Sequence, residues 1–286
     1  MTDSLPIALS APFSPAQQTA LVNLVRRAAR TEILPRFRAT GHAGATAKTG
    51  PRDLVTEADH AAEAMIARGL QQLFPHALIV GEEAVAARPG LRDEVSDAEL
   101  AIIIDPVDGT WNFVHGLPLF GVIVAVTRFG RPVLGLLYDP IADDWILADE
   151  TAPARLVAAS GIARAATTAA GGALGDLHGY VHASLMDQPR QEAVYPRLAA
   201  LGQATALRCS CHEYRLLAQG AVDFVLSDRL NPWDHAAGVL ICQRAGGAAR
   251  MLDGRDYDTA HREGVLLCAG SETTWRALRD HFADIA

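Results

Sequence analysis

Three observations predict a layered α/β protein. From residue 179 to 283, strand-like and helix-like stretches alternate, the pattern from which stacked α/β layers are built. Ile102-Ile103-Ile104 is an apolar, β-branched run that reads as a short buried strand. Towards the amino terminus, apolar residues recur at helical spacing in two separate stretches. With 286 residues there is material for one large α/β domain or two tightly joined lobes. Half of the residues are apolar and a fifth are charged, as in an ordinary globular chain.

The elements follow in order. Ser14-Pro15 opens a helix, with Ser as N-cap and Pro in the first turn; its apolar positions run from Ala20 to about Leu34. Thr40 to Pro51, with three glycines and a lone Lys48, reads as a mobile loop. Thr56 then caps a second helix, with Asp59 placed three residues on, where an acid suits the helix dipole. Ala77 to Val80 is a strand ending in Gly81-Glu82-Glu83, and Arg88 to Ala98 is a charged surface excursion. The isoleucine strand runs into Asp105-Pro106-Val107-Asp108-Gly109-Thr110, followed by a helical turn to His115. Phe120–Phe129, Pro132–Tyr138 and Asp144–Ala148 are sheet strands, the first two joined by a turn at Gly130-Arg131. Ala152 to Gly175 is rich in Ala, Gly and Thr and marks a boundary between lobes of residues 1–150 and 151–286.

In the second lobe, strands are expected at 179–184, 204–208, 222–226, 248–252 and 265–269, and helices at 191–201, 212–219, 233–244 and 273–283.

Composition narrows the function. A net charge of −8 argues against a nucleic acid or an anionic membrane as partner. It does not exclude an anionic substrate, because bound metals invert the local charge. The first ten residues lack a basic start and a long apolar core, so no signal peptide is expected, and no run approaches the roughly 18 apolar residues of a membrane helix. Cys209-x-Cys211 is too tight for a zinc knuckle, and with Cys242 and Cys268 these read as reduced, mostly buried thiols of a cytoplasmic protein.

Each acid is ambiguous alone: Asp-x-x-Asp suits a solvated loop, and Asp234 or Asp59 an ordinary helix start. Together, Glu82, Asp105, Asp108 and Asp234 all stand at strand ends or helix starts, where α/β folds gather ligand groups. Small residues behind Asp234, Ala236-Ala237-Gly238, let that helix approach a neighbour and hold the carboxylate.

Gly81-Glu82-Glu83, Asp105-Pro106-Val107-Asp108-Gly109-Thr110 and Trp233-Asp234-His235-Ala236-Ala237-Gly238 resemble three signatures of the inositol monophosphatase family. This belongs to the magnesium-dependent, lithium-sensitive phosphatases that also hold fructose-1,6-bisphosphatase. Asp53 to Asp59 and Lys48 match its amino-terminal pattern, and the resemblance runs from about Ser14 to Gly270, weakest between Thr151 and Leu207. It implies an α-β-α-β-α sandwich, commonly a homodimer. The first lobe would supply Lys48, Asp59, Glu82, Asp105 and Asp108, and the second Asp234 and the substrate-selecting residues. Glu82, Asp105 and the Val107 carbonyl would hold one Mg2+, and Asp105, Asp108 and Asp234 a second; Lys48 would lie on a loop near a third, weaker metal. Glu82 and Thr110 would orient the attacking water, with Asp59 behind them. Asp108, Gly109 and Thr110 would face the phosphate, and Arg208, Ser210, Ser227 and Asp228 the rest of the substrate.

The chemistry points the same way. Phosphate monoesters hydrolyse very slowly unaided, and metal ions both lower the pKa of water and stabilise a leaving alkoxide. No Ser or Cys nucleophile with a paired His is apparent, so direct attack by water is expected.

The chain also departs from the family. Arg208-Cys209-Ser210 stands where Gly-Ser/Thr-Ala is usual, and Ser227-Asp228 where the inositol enzymes carry a Glu seven residues before the last metal Asp. Arg208 suits a second anionic group on the substrate; exposure to solvent or a pair with Glu213 is the plainer expectation. A small phosphorylated metabolite resembling inositol monophosphate is therefore the first reading, and a sugar bisphosphate or nucleotide 3′-phosphate the second. A non-catalytic metal-binding regulatory protein is the third, and the intact Glu82 and Thr110 weigh against it. His178 and His182 are read as turn and strand residues, not a metal pair; His115, Trp111 and Trp233 are read as packing or wall residues. Residues 151–175 lack the family's Gly-Ala-x-x-Asn-Gly hairpin, so a local rearrangement is expected there.

Overall fold

The computed structural model describes residues 13–39, 45–50 and 53–285, with the backbone alone at 48–50 and 53. Helix α1 (Pro15–Ala28) starts at a capping box in which Ser14 and Gln17 bond each other's backbone, and it continues as a wider π turn to Ile33. Residues 45–50 correct the expectation of a loop. They form strand β1 (Ala45–Gly50), antiparallel to β2 (Asp53–Thr56). Ala, Lys and Gly are depleted in strands and outweigh the two Thr, so the segment carries little strand signature apart from its β2 partner. Lys48 belongs to β1, and its side chain lies outside the described residues. Thr56 caps α2 (Glu57–Leu73) as expected.

Strand β3 (Leu78–Gly81) leads directly into α3 (Glu82–Ala87). The charged excursion beyond it is anchored by buried Leu91 and Val95 in a 3-10 helix, Pro89–Val95. Strand β4 (Ala101–Asp108) is buried along its whole length, which is why it reads as a continuous apolar run. It ends at α4 (Thr110–Val114). Strands β5 (Gly121–Arg128), β6 (Arg131–Asp139), β7 (Asp144–Asp149), β8 (Ala152–Val157) and β9 (Ala163–Ala165) complete a seven-stranded sheet in the order β3 to β9. Only the β3–β4 pair is parallel. The β5–β6 turn sits at Phe129-Gly130, one residue earlier than expected, with both φ angles positive (47° and 77°). The expected lobe division at 150/151 falls in the turn between β7 and β8, and β8 and β9 add to the edge of this sheet.

The remainder alternates: β10 (His178–Val181), α5 (Gln188–Leu198), β11 (Gln203–Thr205), α6 (Ser210–Ala218), β12 (Phe224–Ser227), α7 (Pro232–Arg244), β13 (Ala248–Met251), β14 (Leu266–Ala269) and α8 (Glu272–His281). Its five strands are ordered β11-β10-β12-β14-β13.

Three apolar clusters define five layers. One packs α1 and α2 on the face of the large sheet carrying Ile102, Ile104, Val122 and Val124. A second joins the opposite face, with Ile103, Ile123 and Leu137, to α6, α7 and one face of the small sheet. The third covers the far face of the small sheet with residues from α5 and α8, such as Val194 and Trp275. The order is α-β-α-β-α, as the family resemblance implies. Helix α7 lies deep in the middle layer because small residues line it. The Ala237 backbone sits against Gly135, where an added Cβ would meet its carbonyl oxygen at 2.7 Å, and Gly238 faces the Tyr214 ring.

Candidate active site

The end of β4 does what a regular strand cannot. Residues three apart on a strand point to opposite faces. In the β4–β5 pairing, however, Asp105 opposes Ile123 and Asp108 opposes Gly121, so three steps on β4 match two on β5. This irregularity spans Pro106 and Val107 and turns both acids to one side. Asp234, in the first turn of α7, meets them there: carboxylate oxygens of Asp105, Asp108 and Asp234 lie within 4.8 Å of one another. Glu82, the first residue of α3, lines the same cleft, whose volume is about 460 Å3.

The electrostatics follow from this crowding. Asp105 is 2% exposed, and burial followed by the charges of Glu82, Asp108 and Asp234 lifts its pKa well above the carboxylate range. Burial and Asp234 raise Asp108 to about 7, although its Oδ2 accepts hydrogen bonds from the Cys211 amide (2.5 Å) and the Cys209 thiol (3.1 Å). Burial lifts Asp234 to about 6 against a hydrogen bond from Asn231 (3.1 Å). The four strongest charges acting on Asp105 are all carboxylates. Such a buried, all-oxygen donor set fits a hard divalent cation, which supplies the missing positive charge.

Behind the acids, one Asp59 oxygen accepts from the Thr56 amide (2.8 Å) and hydroxyl (2.5 Å), and the other lies 3.2 Å from the Thr110 hydroxyl. That hydroxyl is also 3.0 Å from the Val107 carbonyl. Asp59 is thus fully buried, caps α2 and touches the site at once. Gly109, at φ 89°, makes the turn between Asp108 and Thr110. Glu82 is held through its helix. The buried Glu63 carboxylate accepts from the Glu83 (2.8 Å) and Ala84 (2.9 Å) amides and so caps α3 from α2. A Cβ on Gly81 would meet that carboxylate at 2.1 Å. Glu63 went unnoticed in the sequence, but it follows Asp59 by four residues, on the same inward face of α2.

The other wall is less as expected. Ser210 and Ser227 line the cleft and are buried. Asp228 is absent from that lining and lies 3.6 Å from Arg190. Arg208 lines the cleft with its guanidinium 4.0 Å from the Trp111 ring, on which His115 also stacks. Of the two plainer expectations for Arg208, exposure to solvent holds and the pair with Glu213 is not formed. Glu213 is fully buried and bonds His182 Nε2 (2.6 Å) and the Leu207 amide (2.7 Å). Burial depresses His182, but the Glu213 charge outweighs it and raises its pKa to about 9. His235 is held near 4 by burial and by His182; its Nε2–H donates to the Arg229 carbonyl, leaving Nδ1 to accept from Tyr214 (3.0 Å). All four cysteines are buried and free of disulfides.

The sequence profile of the inositol monophosphatase family matches residues 16–283. The fructose-1,6-bisphosphatase/inositol-1-monophosphatase of Thermotoga maritima is 32% identical over 209 residues, 73% of this chain and 75% of that protein. Nus factor SuhB of Escherichia coli K12 is 30% identical over 246 residues, 82% and 86% of the two chains. Among solved structures, the extragenic suppressor protein suhB of Bartonella henselae superposes with a TM-score of 0.76 at 24% identity, over 93% of this chain and 98% of its own.

Proposed function

The chain belongs to the inositol monophosphatase family, and we propose that it is a Mg2+-dependent phosphomonoesterase that hydrolyses a small phosphorylated metabolite, such as an inositol monophosphate, by direct attack of water. The observation that carries this reading is the meeting of Asp105, Asp108 and Asp234 within 4.8 Å, on a cleft that Glu82 also lines. Glu82, Asp105 and the Val107 carbonyl would hold one Mg2+, and Asp105, Asp108 and Asp234 a second; Lys48 on β1 is the expected neighbour of a third. Bound Mg2+ supplies a lowered pKa for water and charge stabilisation of the leaving oxygen.

The chain's own groups do the rest. Thr110 Oγ takes a proton from the attacking water while passing its own towards Asp59, 3.2 Å away. Glu82 orients that water, and the Gly109 and Thr110 amides at the start of α4 receive phosphate oxygens. A cytoplasmic homodimer completes the reading.

The name of the SuhB relative keeps a regulatory, non-catalytic role as the competing reading. Phosphate release from inositol 1-phosphate separates the two. Turnover that needs Mg2+, stops with EDTA and falls at least about a hundredfold in Asp234→Asn is expected. In 18O-labelled water, the label should enter the released phosphate with no phosphate left on the protein. A well-folded protein inert towards a broad panel of phosphate esters would favour the regulatory role.

A further inference from the structure

The cleft is lined by two kinds of charge, and the carboxylates account for only one. Arg229 lies at its wall in the loop between β12 and α7. Its side chain is exposed, and it forms no ion pair with any described residue. Its backbone is clamped on both sides: the amide donates to Ser227 Oγ (3.2 Å) and the carbonyl accepts from His235. The buried Ser227 hydroxyl is thereby spent on fixing Arg229. Arg208 lines the same cleft, held against Trp111 with its backbone at a positive φ of 58°. A left-handed backbone is uncommon for a residue other than glycine, and it gives Arg208 a defined placement.

Two bound dications would neutralise Glu82, Asp105, Asp108 and Asp234 and grip the phosphate to be cleaved. The exposed guanidinium of Arg229, on the same cleft, is in no ion pair with a described residue. Planar guanidinium groups favour phosphate and carboxylate partners. We infer that Arg229, with Arg208 on the same cleft, forms a subsite for a second anionic group of the substrate, a phosphate or a carboxylate beyond the phosphate that is removed. This rests on reading the cleft as a phosphate-ester site and shifts the preferred ester from an inositol monophosphate to one with two anionic ends.

Hydrolysis-proof ligands test it directly. Propylphosphonate carries one anionic group, 3-phosphonopropionate adds a carboxylate, and propane-1,3-bisphosphonate adds a second phosphonate. With Mg2+ at low salt, calorimetry should find at least one two-anion ligand bound about tenfold or more tighter than propylphosphonate, and which of them wins identifies the group. In Arg229→Gln, whose exposed side chain leaves the fold intact, that advantage should shrink below about threefold. Equal affinities in the wild type, or an advantage that survives in Arg229→Gln, would overturn the subsite. Mg2+-dependent phosphate release from a panel of esters with one and with two anionic groups, in the same preparation, judges the function separately. Turnover without anion preference removes the subsite alone; a preference lost with Arg229 but no turnover of any ester removes the phosphatase reading and leaves an anion-binding cleft.

Discussion

Asp108 is pulled two ways. Burial and Asp234 push its pKa to about 7, while the Cys211 amide and Cys209 thiol hold its charged form in place. A carboxyl whose folded pKa exceeds its unfolded value binds protons more tightly in the native state, so stability falls as pH rises between the two values. Asp105, Asp108 and Asp234 all act in this sense above about pH 4, to about 7 for Asp108 and about 6 for Asp234. His235, lowered to about 4, and His212, also lowered by burial, oppose them below about 6.5. The His182–Glu213 pair is fully stabilising below about 6.5 and lost as pH climbs through about 9. The protein in EDTA should therefore melt at a lower temperature at pH 8 than at pH 5.5, and a flat or rising profile in a thermal melt would contradict the crowding. Asp108→Asn should stabilise the EDTA-treated protein at pH 7.5 by on the order of 2 kcal/mol while abolishing turnover, measured by denaturant titration beside a phosphate-release assay. At this scale the clustered acids were legible because each carries a local signature, a strand end or a helix start. His182–Glu213 and Arg229 were not, since the first pair joins residues 31 apart and the second is defined by the cleft.

Among the elements, α3 is the one whose placement is most exposed to a single substitution. It has six residues, too few to be stable alone, and Glu63 of α2 caps its first amides. Gly81 is in ordinary extended backbone, at φ −98°, so its role is to leave room and not to relieve strain. An added methyl would have to displace the Glu63 carboxylate. Gly81→Ala should thus lower turnover at least about tenfold and weaken Mg2+ binding in calorimetry, with a loss of about 1–3 kcal/mol in stability. Unchanged Mg2+ affinity would show that α3 tolerates the shift. Helix α7 obeys the same logic. Its Ala236-Ala237-Gly238 run was legible as a close-packing face, and the Gly135 and Tyr214 contacts bear that out. Gly238→Ala would press on the Tyr214 ring at 2.2 Å and should cost about 1–3 kcal/mol in urea titration. The β4 irregularity was not legible: Asp-x-x-Asp gives the spacing, but only the pairing with β5 reveals that both acids face one way. The β1–β2 hairpin escaped for a similar reason, since its strands are defined by each other.

At the scale of the whole molecule, alternation of strands and helices announced a layered α/β architecture, and the resemblance to the family supplied the number and order of the layers. The position of the cleft follows from that stacking. Elements from the large sheet bring Glu82, Asp105 and Asp108, and α7, wedged between the sheets, brings Asp234. A divalent cation held by all of them would tie α3, the end of β4 and the start of α7 together. Ligand binding stabilises only the openings that release the ligand, so the benefit should be local as well as global. Hydrogen exchange with and without Mg2+ should therefore show the largest protection at residues 82–84, 107–110 and 233–236. Helices α5 and α8, on the outer face of the small sheet, should exchange alike in both states. Protection spread evenly over all five layers would mean that the cation acts on global stability alone, and no protection at 233–236 would place Asp234 outside the metal site.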